Sequence, residues 1–317
     1  MNGKSRRNRR LLLLPALLMV AALLLAACGG TGGNGPGAGD EGKIKAVTTY
    51  SIIYDLVRHV GGDRVEVTSL VPPGQDPHTY EPTPADIRAV AQADVVFYNG
   101  LGLELWFDRL VSNAGGDAVL VVASDGIEPL YLAGGEFAGL PDPHAWLDPV
   151  LVEQYIHNIK DAFIQLDPDG REEYEANAAA YMQQLRELDA WIRGELAERL
   201  PRERRKLVTT EGAFAYFARA YDFQVVGFVF FLAPEAEPSP RHLTDLVDTI
   251  KAEQVPALFI DTTINPRLVE RLSEETGVPI GGALYVDSLG EPGSPVETYI
   301  QMMRQNVELL ITHLGDG

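Results

Sequence analysis

The sequence predicts an α/β fold of two lobes, each a mainly parallel sheet flanked by helices, with one long helix joining them. From Lys43 onward, short apolar runs alternate with amphipathic stretches, which is typical of β-α repetition and of a parallel sheet covered by helices. A stretch at 169–200, rich in Ala, Glu, Leu, Gln and Arg, interrupts this alternation, which resumes after Pro201. The length of 317 residues also fits two domains of average size.

The first half of the chain contains four predicted strands and four predicted helices. The strands are predicted at 44–50, 65–70, 94–98 and 118–123, and the helices at 51–60, 84–92, 104–114 and 148–166. Thr83 is a suitable N-cap for the second of these helices, because Pro84 follows it at the first helical position. Together these elements form the first predicted lobe, residues 43–166.

The second half begins with the long helix. A helix of about 32 residues would be about 48 Å long, because each residue adds about 1.5 Å. This length exceeds one small lobe, so we expect the helix, assigned to residues 167–201, to run along both lobes. The remaining elements form the second predicted lobe, residues 202–317. Its strands are predicted at 206–210, 224–230, 257–261 and 279–285, and its helices at 213–220, 240–253, 266–276 and 295–314.

The first 42 residues are typical of an export signal followed by a tether. Five basic residues precede an uninterrupted run of apolar and small residues at 11–27, which is the pattern of a secretory signal. The run ends in Leu25-Ala26-Ala27-Cys28, which resembles the bacterial lipobox, in which the cysteine is lipidated. We therefore predict a lipoprotein signal peptide at 1–27 and a lipidated Cys28 with a glycine-rich, flexible tether at 28–42. An uncleaved anchor helix with an incidental cysteine is the alternative.

Charge and cysteine content exclude several classes of site. The formal net charge of −19 argues against nucleic-acid binding, which needs a basic face to neutralise phosphates. Cys28 is the single cysteine of the chain. An internal disulfide is therefore excluded, as is a zinc or iron–sulfur site built mainly from thiolates of one chain.

Two of the six histidines stand out by their surroundings. His78 and His144 both follow an Asp-Pro pair, and both lie in proline-rich loops, at 72–82 and 141–149. Loops stiffened by proline lose little entropy when they hold a ligand. For either loop alone, ordinary turn chemistry explains the motif equally well, but two such loops in one lobe indicate paired metal ligands. The other four histidines, at positions 59, 157, 242 and 313, are assigned to surfaces or interfaces.

Carboxylates follow three predicted strands of the second lobe. They are Glu211, Asp261 and Asp287. Open α/β sheets bind ligands beyond the carboxyl ends of their strands, and a cleft between two lobes is the expected site. Glu211 also fits a residue that complements a helix dipole, and Asp261 fits a helix N-cap. Position alone therefore does not select Asp287 over Asp261.

Five motifs in a fixed order resemble a known family, the metal-binding lipoproteins of bacterial ABC importers for manganese and zinc (cluster A-I, or cluster 9, solute-binding proteins). The resemblance covers residues 43–314. The motifs are the lipobox, Gln75-Asp76-Pro77-His78-Thr79-Tyr80-Glu81-Pro82, Pro143-His144-Ala145-Trp146-Leu147-Asp148-Pro149, Thr210-Glu211-Gly212-Ala213-Phe214-Ala215-Tyr216-Phe217 and Asp287-Ser288-Leu289.

The resemblance implies two lobes joined by one long rigid helix, with a metal ion between the lobes. Matched motif by motif, it places the four ligands on His78 and His144 of the first lobe and on Glu211 and Asp287 of the second. It is the resemblance that selects Asp287 over Asp261. A metal-bound histidine usually donates its other ring N–H to an acceptor that orients it. The candidates for such supporting residues are chosen by proximity alone, and they are Asp76, Glu81, Asp148 and Asp261.

The ligand set favours manganese over zinc, and zinc over iron. It contains no sulfur, and two bidentate carboxylates with two imidazoles reach six-coordination, which suits Mn²⁺ or Fe²⁺ better than tetrahedral Zn²⁺. Zinc-type members of the family typically have histidine where this chain has Glu211, and many carry a histidine-rich loop where residues 131–140 contain none. A zinc-specific protein of the same importer class remains an alternative.

The expected function is that of an extracytoplasmic, lipid-anchored and monomeric solute-binding protein. It would capture the ion at the cell membrane and deliver it to an ABC permease and its ATPase. Rivals from other classes are a secreted metallohydrolase and a surface adhesin. Hydrolysis needs an open coordination position and usually a separate general base, whereas here all four ligands are assigned and no His-Glu-x-x-His motif occurs. An adhesin role is compatible with metal binding.

Overall fold

The computed structural model describes residues 42–132, 138–232 and 238–315. The described residues belong to one compact unit. The predicted signal peptide, Cys28 and nearly all of the predicted tether lie outside the described residues. Within the described ranges, no helix has both the length and the apolar character needed to cross a membrane.

The first sheet has four parallel strands in the order β2-β1-β3-β4. The strands are β1 (Ile44–Thr48), β2 (Val65–Ser69), β3 (Val95–Tyr98) and β4 (Val119–Val122). The helices of this half are α1 (Ser51–Gly61), α2 (Pro84–Ala91), α3 (Phe107–Ala114) and α4 (Pro149–Leu166). Thr83 caps α2 as predicted, because its hydroxyl accepts the N–H groups of Ala85 and Asp86.

The long helix α5 (Arg171–Arg199) follows a short 3₁₀ turn at Pro168–Gly170. Its buried residues recur every three or four positions and form one stripe: Tyr174, Ala178, Tyr181, Leu185, Leu188, Ile192 and Leu196. At about 1.5 Å per residue, the helix is about 44 Å long. It packs against α1 and α4 of the first lobe and against the last helix of the second, so it runs along both lobes.

The second sheet repeats the parallel arrangement of the first, in the order β6-β5-β7-β8. The strands are β5 (Lys206–Glu211), β6 (Gln224–Phe230), β7 (Leu258–Asp261) and β8 (Ile280–Leu284). The helices are α6 (Ala215–Tyr221), α7 (Pro240–Glu253), α8 (Arg267–Thr276) and α9 (Tyr299–Gly315). The predicted fold class, two α/β lobes and one long helix, is confirmed.

Element boundaries differ from the prediction near the strand ends. The helix predicted from residue 104 begins at Phe107, because the Glu104 carboxylate accepts the N–H groups of Asn99 and Gly100 and holds a turn there. Strand β5 continues to Glu211, which pairs with Phe230. Glu211 is therefore the last residue of a strand, and it does not open a helix as the sequence suggested.

The hydrophobic core is continuous across the two lobes. The larger cluster of buried residues includes the first sheet, the stripe of α5 and the residues of α6 and α9 in the second lobe. A smaller cluster lies between the other face of the second sheet and helices α7 and α8. Because protein interiors are closely packed, the shared core packs the two lobes against each other in this structure.

Candidate metal centre

Four side chains converge at the carboxyl ends of the two sheets. His78 lies in the loop after β2, His144 comes just before the 3₁₀ turn Ala145–Leu147, Glu211 ends β5, and Asp287 follows β8. One nitrogen or oxygen atom from each lies within 4.8 Å of the others. All four residues are at most 5% exposed. The structure therefore brings together the four side chains that the family resemblance implied as ligands.

The spacing of these atoms fits a single small cation. His78 Nε2 lies 3.3 Å from His144 Nε2. Glu211 Oε1 lies 3.4 Å from each of these nitrogens, and Asp287 Oδ1 lies 3.6 Å from His144 Nε2. Ligands at about 2.1 Å from a central ion are separated by about 3.4 Å in a tetrahedral arrangement. The four atoms can therefore contact one ion without a large rearrangement.

The two carboxylates lack hydrogen-bond donors. Within the described residues, neither oxygen of Glu211 and neither oxygen of Asp287 has a hydrogen-bond partner, although all four atoms are buried. A buried carboxylate without a donor or a counter-charge is strongly unfavourable. A divalent cation bound between them would supply the missing charge and coordination.

The burial of the site shifts the ionisation of its groups towards neutrality. Burial raises the pKa of Glu211 well above its ordinary value, and the nearby Asp261 carboxylate raises it further. Burial also raises the pKa of Asp287 strongly, with Glu211 as the next cause. For His78, burial and the neighbouring His144 lower the pKa. Protons therefore compete with a cation at both carboxyl groups.

His144 is oriented by a residue that the sequence analysis did not select. Its Nδ1 lies 2.7 Å from Asp142 Oδ1, and the same oxygen accepts its backbone N–H at 3.0 Å. This contact directs Nε2 towards the other ligands. Burial opposes protonation of His144, but the carboxylates of Asp142, Asp287 and Asp261 together outweigh burial and raise the pKa of the imidazole. The signal was present in the sequence, since Asp142 stands two residues before His144 in the Asp-Pro-His motif.

The four candidates named by proximity have different roles. Asp76 accepts the backbone N–H of His78 at 2.7 Å. Asp148 accepts the N–H of Val150 and caps α4. Glu81 is exposed. Asp261 is buried, and its Oδ1 accepts the N–H and hydroxyl of Thr263 at 2.6 Å each. None of these contacts reaches an imidazole ring.

The backbone before three of the four ligands is held in the same way. In each case a buried side-chain N–H donates to the carbonyl of the residue just before the ligand. The bonds are Trp106 Nε1 to Pro77 O at 2.7 Å, Asn99 Nδ2 to Pro143 O at 3.0 Å and Trp146 Nε1 to Val286 O at 2.9 Å. Such donors restrict the loops that carry His78, His144 and Asp287 in this structure, so they help to hold the converging side chains in place.

Known proteins resemble the chain over most of its length. The family described as Zinc-uptake complex component A periplasmic (ZnuA) matches residues 46–313. The chain is 43% identical over 287 residues to the manganese-binding lipoprotein MntA of Halalkalibacterium halodurans, covering 90% of this chain and 94% of the relative. It is 38% identical over 273 residues to the iron-binding protein YfeA of Yersinia pestis, covering 86% of this chain and 87% of that relative.

A solved structure agrees in fold as well as in sequence. The periplasmic zinc binding protein TroA from Treponema pallidum superposes with a TM-score of 0.81 at 34% identity. The match covers 87% of this chain and 100% of that chain. These three similar proteins are named for manganese, iron and zinc, respectively.

Proposed function

The chain belongs to the family of Zinc-uptake complex component A, the metal-binding proteins of bacterial ABC importers, and on this premise we propose that it captures a divalent transition metal between its lobes and delivers the ion to a membrane permease. Members of this family are substrate-binding proteins, so the chain is a binding protein and the metallohydrolase interpretation is withdrawn. The metal ion is its cargo.

One observation carries the proposal. Two imidazoles and two buried carboxylates without donors meet in one small volume between the lobes. A neutral organic solute would leave the carboxylates uncompensated, and an anion would be repelled by them. With both carboxylates ionised and both imidazoles neutral, a divalent cation gives a filled site of zero formal charge.

We propose Mn²⁺ as the preferred ion, with His78, His144, Glu211 and Asp287 as its ligands. All four carboxylate oxygens are free of other hydrogen bonds in the described structure, so both groups are able to bind through two oxygens. Coordination then reaches six, which Mn²⁺ accepts more readily than Zn²⁺. The 43% identity to a protein named as manganese-binding also supports this choice.

The burial of the ligands implies that release requires movement. None of the four ligands is more than 5% exposed. The ion therefore leaves only if the lobes or the ligand loops separate. We propose that contact with the permease of an ABC importer favours this open state, because a partner shifts an equilibrium only by binding one state better than the other.

The remaining assignments extend the same proposal. A signal peptide at 1–27, a lipidated Cys28 and a tether at 28–42 would hold a monomer at the extracytoplasmic face of the cell membrane. The lobes at 43–166 and 202–317, with the long helix at 167–201, would form the metal-binding body. The names of relatives as metal-transporter lipoproteins support this arrangement.

A thermal melt of the purified full chain in detergent tests the proposal. The protein is stripped with a chelator and then given Mn²⁺ or Zn²⁺. A ligand at 100 times its dissociation constant adds about 2.7 kcal/mol of stability. We expect the wild type to melt at a higher temperature with Mn²⁺ and the Glu211→Ala variant to show no such rise.

Two other results would change the account. A response to Zn²⁺ without one to Mn²⁺ would keep the function and overturn the choice of metal. If neither ion shifts the melt of the wild type, the chain does not bind metal at this site.

A further inference from the structure

Trp146 occupies a junction between the two lobes. It lies in the 3₁₀ turn that follows His144, and it is fully buried. Its ring packs against the rings of His144 and Tyr50, with centroid distances of 5.2 Å in both cases. The indole therefore packs directly against the imidazole of His144.

Two hydrogen bonds cross between the lobes at this residue. The indole N–H of Trp146 donates to the carbonyl of Val286 at 2.9 Å, and Val286 directly precedes Asp287. In the opposite direction, the hydroxyl of Tyr299 donates to the carbonyl of Trp146 at 2.7 Å. Tyr299 is the first residue of α9 in the second lobe, and it is fully buried. The turn after His144 is thus tied twice to the segment that carries Asp287.

Further bonds fasten the same segment to the first lobe. Leu289 N donates to the Ser51 hydroxyl at 3.0 Å, and the backbone N–H of Tyr299 donates to Asp55 Oδ2 at 3.0 Å. Leu289 and Tyr299 follow Asp287 in the chain, whereas Val286 precedes it. Asp287 is therefore held against the first lobe by contacts on both sides of it.

We propose that Trp146 and Tyr299 form an inter-lobe clamp that holds Asp287 at binding distance from His144 and slows the release of the ion. The proposal rests on the proposed function, because it concerns the same site. Both bonds join residues of different lobes, so they break when the lobes separate. They therefore stabilise only the closed, metal-holding state. The clamp favours closure of the lobes and does not alter the contacts between the ion and its ligands.

The expected effect is on the dissociation rate. Losing one buried neutral hydrogen bond corresponds to about a 2- to 10-fold change in an equilibrium constant. Because the bonds are absent from the open state that admits the ion, the association rate should be nearly unchanged. Because neither bond touches the ion, the fold-change should be the same for Mn²⁺ and Zn²⁺.

The clean test variant is Tyr299→Phe, which removes the hydroxyl and keeps the ring. Stopped-flow kinetics of Mn²⁺ and Zn²⁺ are measured on the full chain in detergent, with a chelator to trap released ion. We expect the dissociation rate to rise about 2- to 10-fold for both ions. The matched control is Tyr174→Phe, since the Tyr174 hydroxyl donates to Asp167 in a contact that involves no residue of the second lobe. Its dissociation rates should equal those of the wild type.

A double-mutant cycle tests whether the two hydrogen bonds act together, even though Trp146→Phe removes more than a hydrogen bond. Trp146→Phe deletes the N–H but also part of the ring, so its effect includes a packing loss. Each variant is compared by the fold-increase in its dissociation rate over the wild type. If the two bonds act as one clamp, the fold-increase of the double variant Trp146→Phe/Tyr299→Phe should be smaller than the product of the two single fold-increases. Multiplicative effects would overturn the clamp.

The outcomes separate the clamp from the function itself. Metal binding by the wild type with an unchanged dissociation rate in Tyr299→Phe overturns the clamp alone. A rate change confined to one ion also overturns it, because that would indicate an effect on coordination. Absence of metal binding by the wild type overturns the proposed function and the clamp together.

Discussion

Asp142 sets the orientation of His144 and is itself almost fully buried. Its Oδ1 accepts the backbone N–H of His144 and lies 2.7 Å from the ring Nδ1 of the same residue. A carboxylate behind a metal-bound imidazole fixes the tautomer and increases the basicity of the ligand. The equivalent Asp76 of the other Asp-Pro-His motif accepts the backbone N–H of His78 but does not contact its ring. One local motif therefore serves the two imidazoles differently.

The Asp142→Asn variant should lower metal affinity about 10- to 100-fold, the usual effect of losing a partner of a metal-bound histidine. The measurement is isothermal titration with Mn²⁺. Asp148→Asn is the matched control, because asparagine caps a helix as well as aspartate and Asp148 accepts from Val150 N. Equal losses in the two variants would contradict the role of Asp142.

The ionisation of Glu211 predicts a pH dependence of stability. Burial raises its pKa in the folded, metal-free protein above the value in the unfolded chain. The folded state then holds the extra proton, so this group makes stability fall over the pH interval above the ordinary glutamate pKa of about 4.3. Relative to Glu211→Gln, the metal-free wild type should therefore lose stability over this interval.

Denaturant unfolding at several pH values, with chelator present, measures this difference. The comparison with Glu211→Gln is needed because other groups titrate as well. Burial raises the pKa of Glu104 to about 7, which contributes with the same sign, while the lowered pKa of His78 contributes with the opposite sign. The contribution of Glu104 is common to the two proteins. Parallel pH profiles would show that Glu211 ionises normally.

Sequence reasoning reached the four converging residues but not all of their supports. His78 and His144 were visible from their loops, whereas Asp287 was chosen over Asp261 by family resemblance. Asp142 could have been found from its spacing to His144. The Trp146–Val286 bond joins residues 140 positions apart. Such a contact depends on how the lobes pack, and no local pattern encodes it.

Helix α5 is the element that both lobes share. Its buried stripe packs on α1 and α4 at one end and on α9 at the other. Local composition was enough to predict this helix, because Ala, Glu, Leu, Gln and Arg are strong helix formers. The strand ends were less predictable, as Glu211 shows. Whether a residue extends β5 depends on its pairing with Phe230 in β6, and the sequence does not display this pairing.

The Leu188→Ala variant should lower the free energy of unfolding by about 2–5 kcal/mol, since it leaves a cavity in the core shared by the lobes. Leu188 is fully buried. Urea unfolding monitored by circular dichroism measures the change. The exposed neighbour Glu187 provides the control, because Glu187→Ala should change stability by no more than about 0.5 kcal/mol. A loss below 1 kcal/mol for Leu188→Ala would contradict the packing described for α5.

The whole molecule combines a rigid frame with a site that only a cation completes. The core and the long helix hold the two sheets together, and the contacts around Asp287 fasten one ligand of the second lobe to the first. Glu211 and Asp287 bring two negative charges into a buried volume. Packing energy therefore supports a site whose electrostatic cost is offset only when the ion binds.

The most direct test is a crystal structure of the Mn²⁺-loaded protein with anomalous diffraction data. The account predicts one anomalous peak between the lobes, at about 2.0–2.3 Å from His78 Nε2, His144 Nε2 and carboxylate oxygens of Glu211 and Asp287. A peak at another position would contradict it. So would a loaded protein in which any of the four side chains does not contact the ion.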